Sequence, residues 1–542
     1  MSALDVVLPL LMVVAALALL ARRIHVPYPI VLVVGGLVLG FLPGLPRVQL
    51  APDVVFLVFL PPLLYGAGWD TSMRDFRANL RAIGLLSIGL VIFTTAGVAV
   101  VAHTVIPGIP WAAAAVLGAI VAPTDSVAAS AILGRLGAPR RIVAILEGES
   151  LVNDASGLVA YRFALAAVTA GAFSIAQAGA QFVIVSLGGV AVGLAMGWVL
   201  VQVEKRLEDP LIEIALSFLT PYGAYLAAEH LFQVSGVLAV VTASLYFSWN
   251  AHQVLSATTR VQAIAVWEMV TFVLNGLAFI LIGLQLPSIL DGLGGRAVPV
   301  LATYAFTLVG AVVVIRFLWV FPGAYLPRLI PAVARAEPPV SWRNVIVVAW
   351  TGMRGVVSLA AALALPLTVA GRPFPDRDLI LFLTFCVILV TLVLQGLSLP
   401  LLLRGLGVSD DGTDRQEEAD ARFHALDAAV ARLDRLGDEP WVREEMVGYM
   451  RTMYGKRRVA TATRFGRLAH VHQPDGHRHA DGVDHAQDHL DRQEALYRLK
   501  REMVAAERSE ILRLRDMGSI SGDALRRIER DLDLEEVRLI EA

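Results

Sequence analysis

Long apolar stretches separated by short polar breaks fill roughly the first three-quarters of the chain. A helix that crosses a bilayer needs about 20 mostly apolar residues, and thirteen stretches approach that length. They lie near residues 3–21, 27–43, 53–69, 82–105, 111–134, 141–169, 178–203, 210–229, 232–249, 263–287, 297–322, 343–368 and 378–403. The pattern predicts an all-α polytopic membrane protein with about 13 transmembrane helices within residues 1–404.

The pattern changes in residues 405–542, which contain 52 of the 92 charged side chains. Residues 410–450 and 491–541 show helical periodicity with mixed charge, which predicts a helical cytoplasmic tail with a regulatory or dimer-stabilising role. Between them, residues 470–489 hold six of the eleven histidines, interleaved with Pro and Gly. We interpret this segment as a His-rich linker, and a metal-binding tract or a pH sensor stays open as an alternative.

Composition narrows the class of protein. Hydrophobic residues make up 56% of the chain, charged residues 17%, and the mean hydropathy is +0.66, which is too apolar for an ordinary soluble enzyme of this size. The single cysteine, Cys386, excludes an intrachain disulfide and a thiolate zinc site. No basic domain and no phosphate-loop, HExxH or CxxC motif is present, so we expect no nucleic-acid partner, no cofactor and no enzymatic activity.

The distribution of basic residues predicts the orientation. With the N-terminus outside, the inner loops carry fifteen Lys or Arg residues and the outer loops carry four. Basic residues collect on the cytoplasmic side of membrane proteins. An odd number of helices then places the tail in the cytoplasm, and the expected location is the cell membrane.

Several charged residues lie inside the predicted helices, where each costs at least about 2.5–3.5 kcal/mol on insertion scales and marks a functional site by default. They are Asp125, Glu147, Glu149, Asp154, Arg162, Glu213, Glu268, Arg316 and Arg354. Glu213 and Glu268 lie only a few residues inside their helices, so a structural ion pair or a side chain that reaches the membrane surface is the favoured interpretation for these two. Asp125 lies fourteen residues into the fifth helix and Asp154 thirteen residues into the sixth, from opposite faces. At about 1.5 Å per residue both carboxylates reach the middle of the membrane.

Two predicted helices contain interruptions near this depth. Pro123 removes a backbone hydrogen bond from the fifth helix, and Gly352 and Gly355 flank Arg354 in the twelfth. Interrupted helices at corresponding places in two halves are typical of the binding site of a secondary transporter. We therefore predict two inverted six-helix repeats, helices 1–6 and 8–13, that are joined by a linker helix.

The sixth helix carries the sharpest pattern of polar residues. Ser150 and Asp154 are i, i+4 neighbours on one face, and Glu149 and Asn153 share the adjoining face. The first face offers oxygen ligands for a small monovalent cation. We expect Arg316 to neutralise Glu149, which leaves Asp154 free to take a proton or a cation.

The chain resembles the cation:proton antiporter family, in particular bacterial sodium/proton exchangers with a long cytoplasmic tail, which are related to eukaryotic sodium/hydrogen exchangers. The motifs that carry the resemblance are APTDSVA at 122–128, LEGESLVNDASGLV at 146–159, WTGMRGVVSLA at 350–360, and Arg316 within VIRFLW. The resemblance implies exchange of cytoplasmic Na⁺ or Li⁺ for external H⁺ by alternating access.

The resemblance also implies roles for individual residues. Asp154 would exchange the proton and the cation, with Ser150, Thr124 and Asp125 around it as ion ligands. The pair Asn153–Asp154, in place of two aspartates, implies electroneutral exchange. One departure is Gly66 in LPPLLYGAGW, where many relatives carry an accessory glutamate.

A homodimer in the lipid bilayer is implied as well. Residues 1–81 and 210–287 would form its scaffold, residues 82–169 and 297–403 the moving transport domain, and residues 178–203 the linker helix. K⁺/H⁺ exchange is the alternative function, because oxygen ligands alone do not select the size of the cation. A non-transporting membrane sensor is the remote alternative.

Overall fold

The structure is a computed structural model of the 542-residue chain. It describes residues 3–43, 55–170, 175–294, 296–336, 339–369, 371–409, 412–466 and 486–541. The described residues are almost entirely helical, which confirms the predicted fold class. Their only strands form a two-stranded antiparallel ribbon, β1 (Thr368–Val369) and β2 (Arg372–Pro373).

The described chain divides into two compact units. The first comprises residues up to 71, 76–254 and 265–409, and the second comprises residues 72–75, 255–264 and those from 410 onward. The second unit thus contains the tail and also two short segments from the apolar part of the sequence.

The helices of the apolar part follow one another with short connections. They are α1 (Ala3–Arg23), α2 (Tyr28–Gly40), α3 (Leu60–Asp70), α4 (Met73–Ala78), α5 (Leu80–Val105), α6 (Trp111–Val121), α7 (Val127–Leu136), α8 (Arg140–Ala170), α9 (Ile175–Glu204), α10 (Pro210–Leu231), α11 (Gly236–Val254), α12 (Ala257–Leu284), α13 (Leu286–Gly292), α14 (Val298–Tyr325), α15 (Pro331–Ala336), α16 (Trp342–Trp350), α17 (Val356–Leu363) and α18 (Arg377–Leu406). Single π-helical turns lie at Val55–Phe59, Leu85–Gly89, Ala227–Leu231 and Thr391–Gln395.

Seven helical stretches among the described residues are long and apolar enough to cross a membrane, while α2, α6 and α7 are shorter apolar helices. Large apolar side chains on several of these stretches are exposed, including Leu187, Leu211 and Phe306. Exposed apolar faces of this extent are typical of helices that contact lipid. The number thirteen and the two inverted repeats stay predictions.

Close packing in the first unit depends on small residues. Gly189, Gly193 and Gly197 recur at intervals of four on α9 and face the backbone of Ser235 and of α11, where a Cβ atom would meet carbonyl oxygens. This spacing puts all three on one face of α9. The small-residue face lets the two helix backbones approach closely, as in other membrane helix pairs.

Both predicted interruptions are present, and they contact each other. Residues 122–126 separate α6 from α7, and residues 351–355 separate α16 from α17. The backbone N–H of Asp125 in the first break donates to the carbonyl of Met353 in the second, at 2.8 Å. The two interrupted helices therefore meet at their breaks.

One boundary differs from its prediction for a local reason. The apolar stretch predicted at 263–287 corresponds to α12, which begins at Ala257. The Ser256 hydroxyl accepts a hydrogen bond from the N–H of Thr259 at 3.0 Å, which caps the first turn. The serine cap starts the helix several residues before its apolar residues begin. A prediction from hydrophobicity alone therefore places the first residue of the helix too late.

The tail in the second unit folds into α19 (Thr413–Leu436), α20 (Glu444–Arg464), α21 (Ala486–Asp516) and α22 (Gly522–Glu541). Its apolar residues form two small clusters, which include Leu433 with Met503 and Ile511 with Leu532. Of the predicted His-rich linker, residues 470–485 lie outside the described residues. Residues 486–489 already belong to helix α21, which corrects the predicted end of the linker.

Candidate functional site

A cavity of about 320 Å³ lies beside the two helix breaks. Its wall comes from α2, α3 and α12 on one side and from the breaks, α7, α8 and α17 on the other. Its polar lining residues are Tyr28, Asp70, Thr71, Thr124, Asp125, Ser126, Ser130, Glu147, Ser150, Asp154, Thr271, Asn275 and Ser358. Four of them are carboxylates, and none of the described lining residues is Lys, Arg or His.

Helix α8 supplies three polar residues to this cavity from a single face. Glu147, Ser150 and Asp154 stand at i, i+3 and i+7, a spacing that aligns side chains along one side of a helix. The Ser150 hydroxyl oxygen accepts a hydrogen bond from the N–H of Ser126 in the first break, at 3.2 Å. The break and α8 are thereby joined next to Asp154.

Asp154 is buried in the cavity wall with 9% of its surface exposed. Within the described part of the chain, its carboxylate has no hydrogen bond and no ion pair. A buried carboxylate without a fixed partner is costly in its charged form. Such a group is therefore suited to take up a proton or a cation from the cavity.

Glu149, on the adjoining face of α8, has a dedicated partner. Arg316 of α14 forms a bidentate ion pair with it, with Nη1–Oε1 at 2.5 Å and Nη2–Oε2 at 2.9 Å. Their side chains are 0% and 1% exposed, and Arg316 also donates to the carbonyl of Val348 near the end of α16. A Cβ at Gly352 would overlap the Arg316 side chain, so glycine there makes room for this pair.

A chain of hydrogen bonds extends from this pair to Asn153. The Thr124 hydroxyl donates to Glu149 Oε1 at 3.0 Å and accepts from Asn153 Nδ2 at 2.7 Å. Asn153 Nδ2 also lies 3.3 Å from the carbonyl of Thr124. These bonds fix the side chains of Thr124 and Asn153. They form one network with Glu149, and the carboxylate of Asp154 is not part of that network.

Asp125 is held by the backbone at the start of α7. Its Oδ1 accepts a hydrogen bond from the N–H of Val127 at 2.8 Å, at the positive end of the helix dipole. A Cβ at Gly355 would overlap this carboxylate, so glycine at that position lets the second break approach Asp125.

Arg354, which lies in the second break, bonds to backbone carbonyls and not to Asp125. Its Nε donates to the carbonyl of Val121 at 3.0 Å, and its Nη1 donates to the carbonyl of Gly352. The first carbonyl belongs to the last residue of α6, and the second lies two residues beyond the end of α16. Arg354 thus supports the two interrupted helices at their negative ends.

Four lining residues on α2, α3 and α12 did not emerge from the sequence analysis: Tyr28, Asp70, Thr271 and Asn275. Thr271 and Asn275 are i, i+4 neighbours in an apolar helix, and that spacing was a usable signal. Gly66 also lines the cavity, and a Cβ there would lie 3.1 Å from Thr271 Oγ1.

The sodium/hydrogen exchanger transmembrane family model matches residues 10–405. The chain belongs to this family. Its relatives include an uncharacterized Na⁺/H⁺ exchanger of Mycobacterium tuberculosis, which is 36% identical over 99% of this exchanger and 96% of the relative. The Na⁺/H⁺ antiporter ApNhaP of Aphanothece halophytica is 32% identical over 77% of each chain.

Two further comparisons bear on the exchanger. A sodium, potassium, lithium and rubidium/H⁺ antiporter of Bacillus subtilis is 35% identical over 73% of this chain and 61% of its own length. The solved structure of the sodium proton antiporter MjNhaP1 from Methanocaldococcus jannaschii matches with a TM-score of 0.60 and 17% identity. It covers 74% of this chain and 98% of that one.

These comparisons confirm the predicted family and fold. The exchanger is a multi-pass membrane protein of a family of cation/proton antiporters, and that family is one of transporters and not of enzymes.

Proposed function

We propose that the exchanger moves cytoplasmic Na⁺ or Li⁺ outward in exchange for external H⁺, with Asp154 as the carboxylate that binds either ion. The observation that carries the proposal is the environment of Asp154, which is buried, without a partner in the described chain, and open to a cavity that contains no basic side chain. A proton or a monovalent cation restores neutrality there, and the two cannot do so at once.

The proposed cation ligands are oxygen atoms around the first break. Asp154 and Asp125 offer carboxylates, and Ser150 and Thr124 offer hydroxyl oxygens. Hard oxygen ligands suit alkali cations, which form no strong bonds to nitrogen or sulfur. The hydroxyl proton of Thr124 is directed to Glu149, and one lone pair of its oxygen accepts from Asn153, so the second lone pair is available to a cation.

The proposed exchange is electroneutral, because one carboxylate alternates between the two ions. Asn153 is an amide, Glu149 is neutralised by Arg316, and the Asp125 carboxylate accepts a backbone hydrogen bond. Moving one elementary charge through 100 mV is worth about 2.3 kcal/mol, so an electrogenic cycle would respond to voltage. In proteoliposomes, a potassium–valinomycin potential should neither drive nor slow the exchange.

Alternating access in a homodimer completes the proposal. Residues 1–81 and 210–287 would form the scaffold, and residues 82–169 and 297–403 would move against it, with residues 178–203 as linker. The cavity supports this division, because α2, α3 and α12 come from the first group and the breaks, α7, α8 and α17 come from the second. The mass of the purified exchanger in detergent should be that of two copies.

The proposed setting is the cell membrane, with the N-terminus outside and the tail in the cytoplasm. The fifteen-to-four distribution of basic residues between inner and outer loops supports this orientation. A cysteine introduced in the tail should be labelled by membrane-impermeant reagents only in everted vesicles.

Dye-quench assays on everted vesicles test the exchange directly. Added Na⁺ or Li⁺ should dissipate a preformed pH gradient in vesicles with the wild-type exchanger, and Asp154→Asn should abolish this response in a folded protein. A neutral amide cannot trade a proton for a cation. Retained cation-dependent proton flux in that variant would refute the role of Asp154.

K⁺/H⁺ exchange is the second candidate, because the Bacillus subtilis relative is described as an antiporter for potassium and rubidium as well as sodium and lithium. Addition of K⁺ in the same assay decides between them. A response to K⁺ at concentrations where Na⁺ is inactive would favour this candidate.

A further inference from the structure

The cavity approaches Asp154 from one side of the membrane. On α8 its lining residues are Glu147, Ser150, Leu151 and Asp154. Among the described residues of this helix, none beyond Asp154 lines the cavity, and the helix begins on the predicted cytoplasmic side. Asp70, at the predicted cytoplasmic end of α3, lines the cavity as well. In the proposed orientation, the structure is therefore a state in which Asp154 faces the cytoplasm.

An ion pair lies on the opposite side of Asp154. Nη2 of Arg162 on α8 donates to Oε2 of Glu229 on α10, at 2.5 Å. Arg162 is 22 residues into α8 and Glu229 is 19 residues into α10, or roughly 33 Å and 28 Å along the helices. Both helices begin on the predicted cytoplasmic side. The pair is therefore near the outer surface of a hydrocarbon core that is roughly 30 Å thick.

The two members of this pair belong to different proposed domains. Arg162 lies in residues 82–169 of the transport domain, and Glu229 lies in residues 210–287 of the scaffold. Asp154 is eight residues before Arg162 on the same helix, or about 12 Å further inward. A movement of the transport domain that turns Asp154 toward the outside would therefore act directly on the bond to Glu229.

The scaffold holds Glu229 in place without help from Arg162. Glu229 Oε1 accepts a hydrogen bond at 3.1 Å from the N–H of Gly236, the first residue of α11. A Cβ at Gly236 would lie 2.8 Å from Glu229 Cγ, so glycine permits this approach. Glu229 also lies in the π-helical turn Ala227–Leu231, and such turns are frequent at functional sites. The second carboxylate oxygen thus stays directed at the position of Arg162.

The exposure of the pair makes its bond reversible. The Arg162 side chain is 50% exposed and that of Glu229 is 16% exposed. Ion pairs that are open to solvent contribute little stability, so this one can break in every transport cycle. A weak bond that is present in only one of two states shifts the balance between them and leaves both populated.

We propose that the Arg162–Glu229 pair is an external latch that stabilises the inward-facing state and thereby sets the relative cation affinity on the two sides of the membrane. The inference rests on the proposed function, because it uses the proposed orientation and domain division. The latch closes when Asp154 faces the cytoplasm and opens when Asp154 faces outward. Neither member of the pair is among the cavity-lining residues, so neither binds the transported ion.

The test uses Arg162→Gln and Glu229→Gln in the full-length exchanger. The second variant keeps an acceptor for Gly236 and removes the charge that attracts Arg162. Arg296→Gln is the matched control, because Arg296 pairs with Asp376 at 2.8 Å and the two side chains are 43% and 21% exposed. Both control residues are on the predicted outer side. Asp376 lies in the transport-domain range and Arg296 directly precedes it, so their bond joins no second domain.

Initial rates of exchange are measured against Na⁺ concentration, at one pH, in everted vesicles for the cytoplasmic face and in right-side-out vesicles for the external face. The apparent affinity on each side is reduced by the fraction of exchanger that is not in the state facing that side. In both latch variants, the ratio of the cytoplasmic KM to the external KM should rise about 3-fold. Arg162→Lys keeps the charge and should restore most of the ratio, and Arg296→Gln should leave it unchanged.

A cross-link gives a second test. In Arg162→Cys with Glu229→Cys, a bismaleimide that spans the length of the two replaced side chains should stop exchange, because the latch must open in each cycle. The single-cysteine variants retain Cys386 and show any reaction at that thiol. Continued exchange by fully cross-linked protein would overturn the inference.

An unchanged or lower KM ratio in both latch variants would also overturn it, and so would an equal rise of both KM values, which indicates damaged ion binding. A loss of folded protein at an unchanged ratio would show a purely structural pair. Because the two residues lie on different helices, misfolding of one variant leaves the other as a complete test. Failure of the proposed function has a different signature, which is exchange by Asp154→Asn or no response to Na⁺ by the wild-type protein.

Discussion

Two buried arginine–carboxylate pairs, one in each unit, have similar geometry and different surroundings. Arg316 and Glu149 of the first unit and Arg260 and Asp533 of the second both form two hydrogen bonds. Asp533 also accepts from Arg508 at 2.7 Å. Glu149 accepts hydrogen bonds from one arginine, Arg316, and from the Thr124 hydroxyl.

The second pair therefore belongs to a shared network. Arg508 bonds Glu536 as well as Asp533, and Arg260 also donates to the carbonyl of Leu255. Removing one partner of an isolated buried pair leaves an uncompensated charge, whereas a network retains a counter-charge. Two ion pairs of similar geometry therefore have different costs of mutation, because the charges around them differ.

The largest expected effect is that of Arg316→Ala. It leaves Glu149 buried without its cation, at a cost of about 3–5 kcal/mol. The amount of folded exchanger and its thermal unfolding midpoint in detergent should fall sharply. Arg451→Ala is the control, because Arg451 pairs with Asp434 in the tail and the two side chains are 60% and 49% exposed, and exposed pairs contribute about 0–1 kcal/mol. Equal losses in both variants would contradict the distinction.

Deletion of residues 410–542 removes Asp533 and Arg508 together and leaves every proposed ion ligand in place. We expect exchange to remain measurable, with an altered dependence on pH, because the tail is predicted to be regulatory. Everted-vesicle assays across pH 6–9 would show the change. Complete loss of transport in a well-expressed truncation would show that the tail is part of the exchange machinery.

Arg260→Ala should have an intermediate effect. Its side chain is 11% exposed and Asp533 is 3% exposed, but Arg508 still neutralises Asp533 in the variant. We expect a loss of about 1.5–3 kcal/mol, as for hydrogen bonds to charged groups, measured by thermal unfolding. In the double variant with Asp533→Ala, the losses should be less than additive. A loss of stability as large as that in Arg316→Ala would show that the network around Asp533 does not compensate for the missing arginine.

The smallest effect concerns a second buried carboxyl of the tail. Burial raises the pKa of Glu507 above its ordinary value, although Arg457 and a hydrogen bond from Tyr454 at 2.7 Å oppose the shift. A raised carboxyl pKa stabilises the fold below its unfolded pKa, and this contribution is lost as pH rises through the folded pKa. Relative to Glu507→Gln, the wild-type tail should therefore lose stability between acidic and neutral pH. A difference that stays constant with pH would contradict this.

Local patterns predicted a large part of the fold and of the candidate site. The 3.6-residue period placed Ser150 and Asp154 on one face of α8, and both line the cavity. Pro123 and Gly352 marked the interruptions, because proline removes a hydrogen bond and glycine permits close approach. These features depend on residues that are near one another in the sequence.

Apart from the Arg316–Glu149 pair, whose members both lie deep in apolar helices, contacts between distant residues were not predictable in the same way. Arg260 and Asp533 are 273 positions apart, and no periodicity relates them. The carbonyl partners of Arg354 depend on where two helices end in space. The role of Asp70 in the cavity wall depends on the packing of α3 against other helices, which a single sequence does not specify.

The bonds of Arg354 have a mechanical consequence. One side chain joins the end of α6 to the stretch just beyond α16, and the Asp125–Met353 backbone bond joins the same two breaks a second time. Two attachments at separate points resist both sliding and rotation of one break past the other. Breaks in helices are usually regarded as hinges. Here the two breaks are bonded to each other at two points, so any movement that opens the cavity to a different side must carry both breaks as one rigid piece.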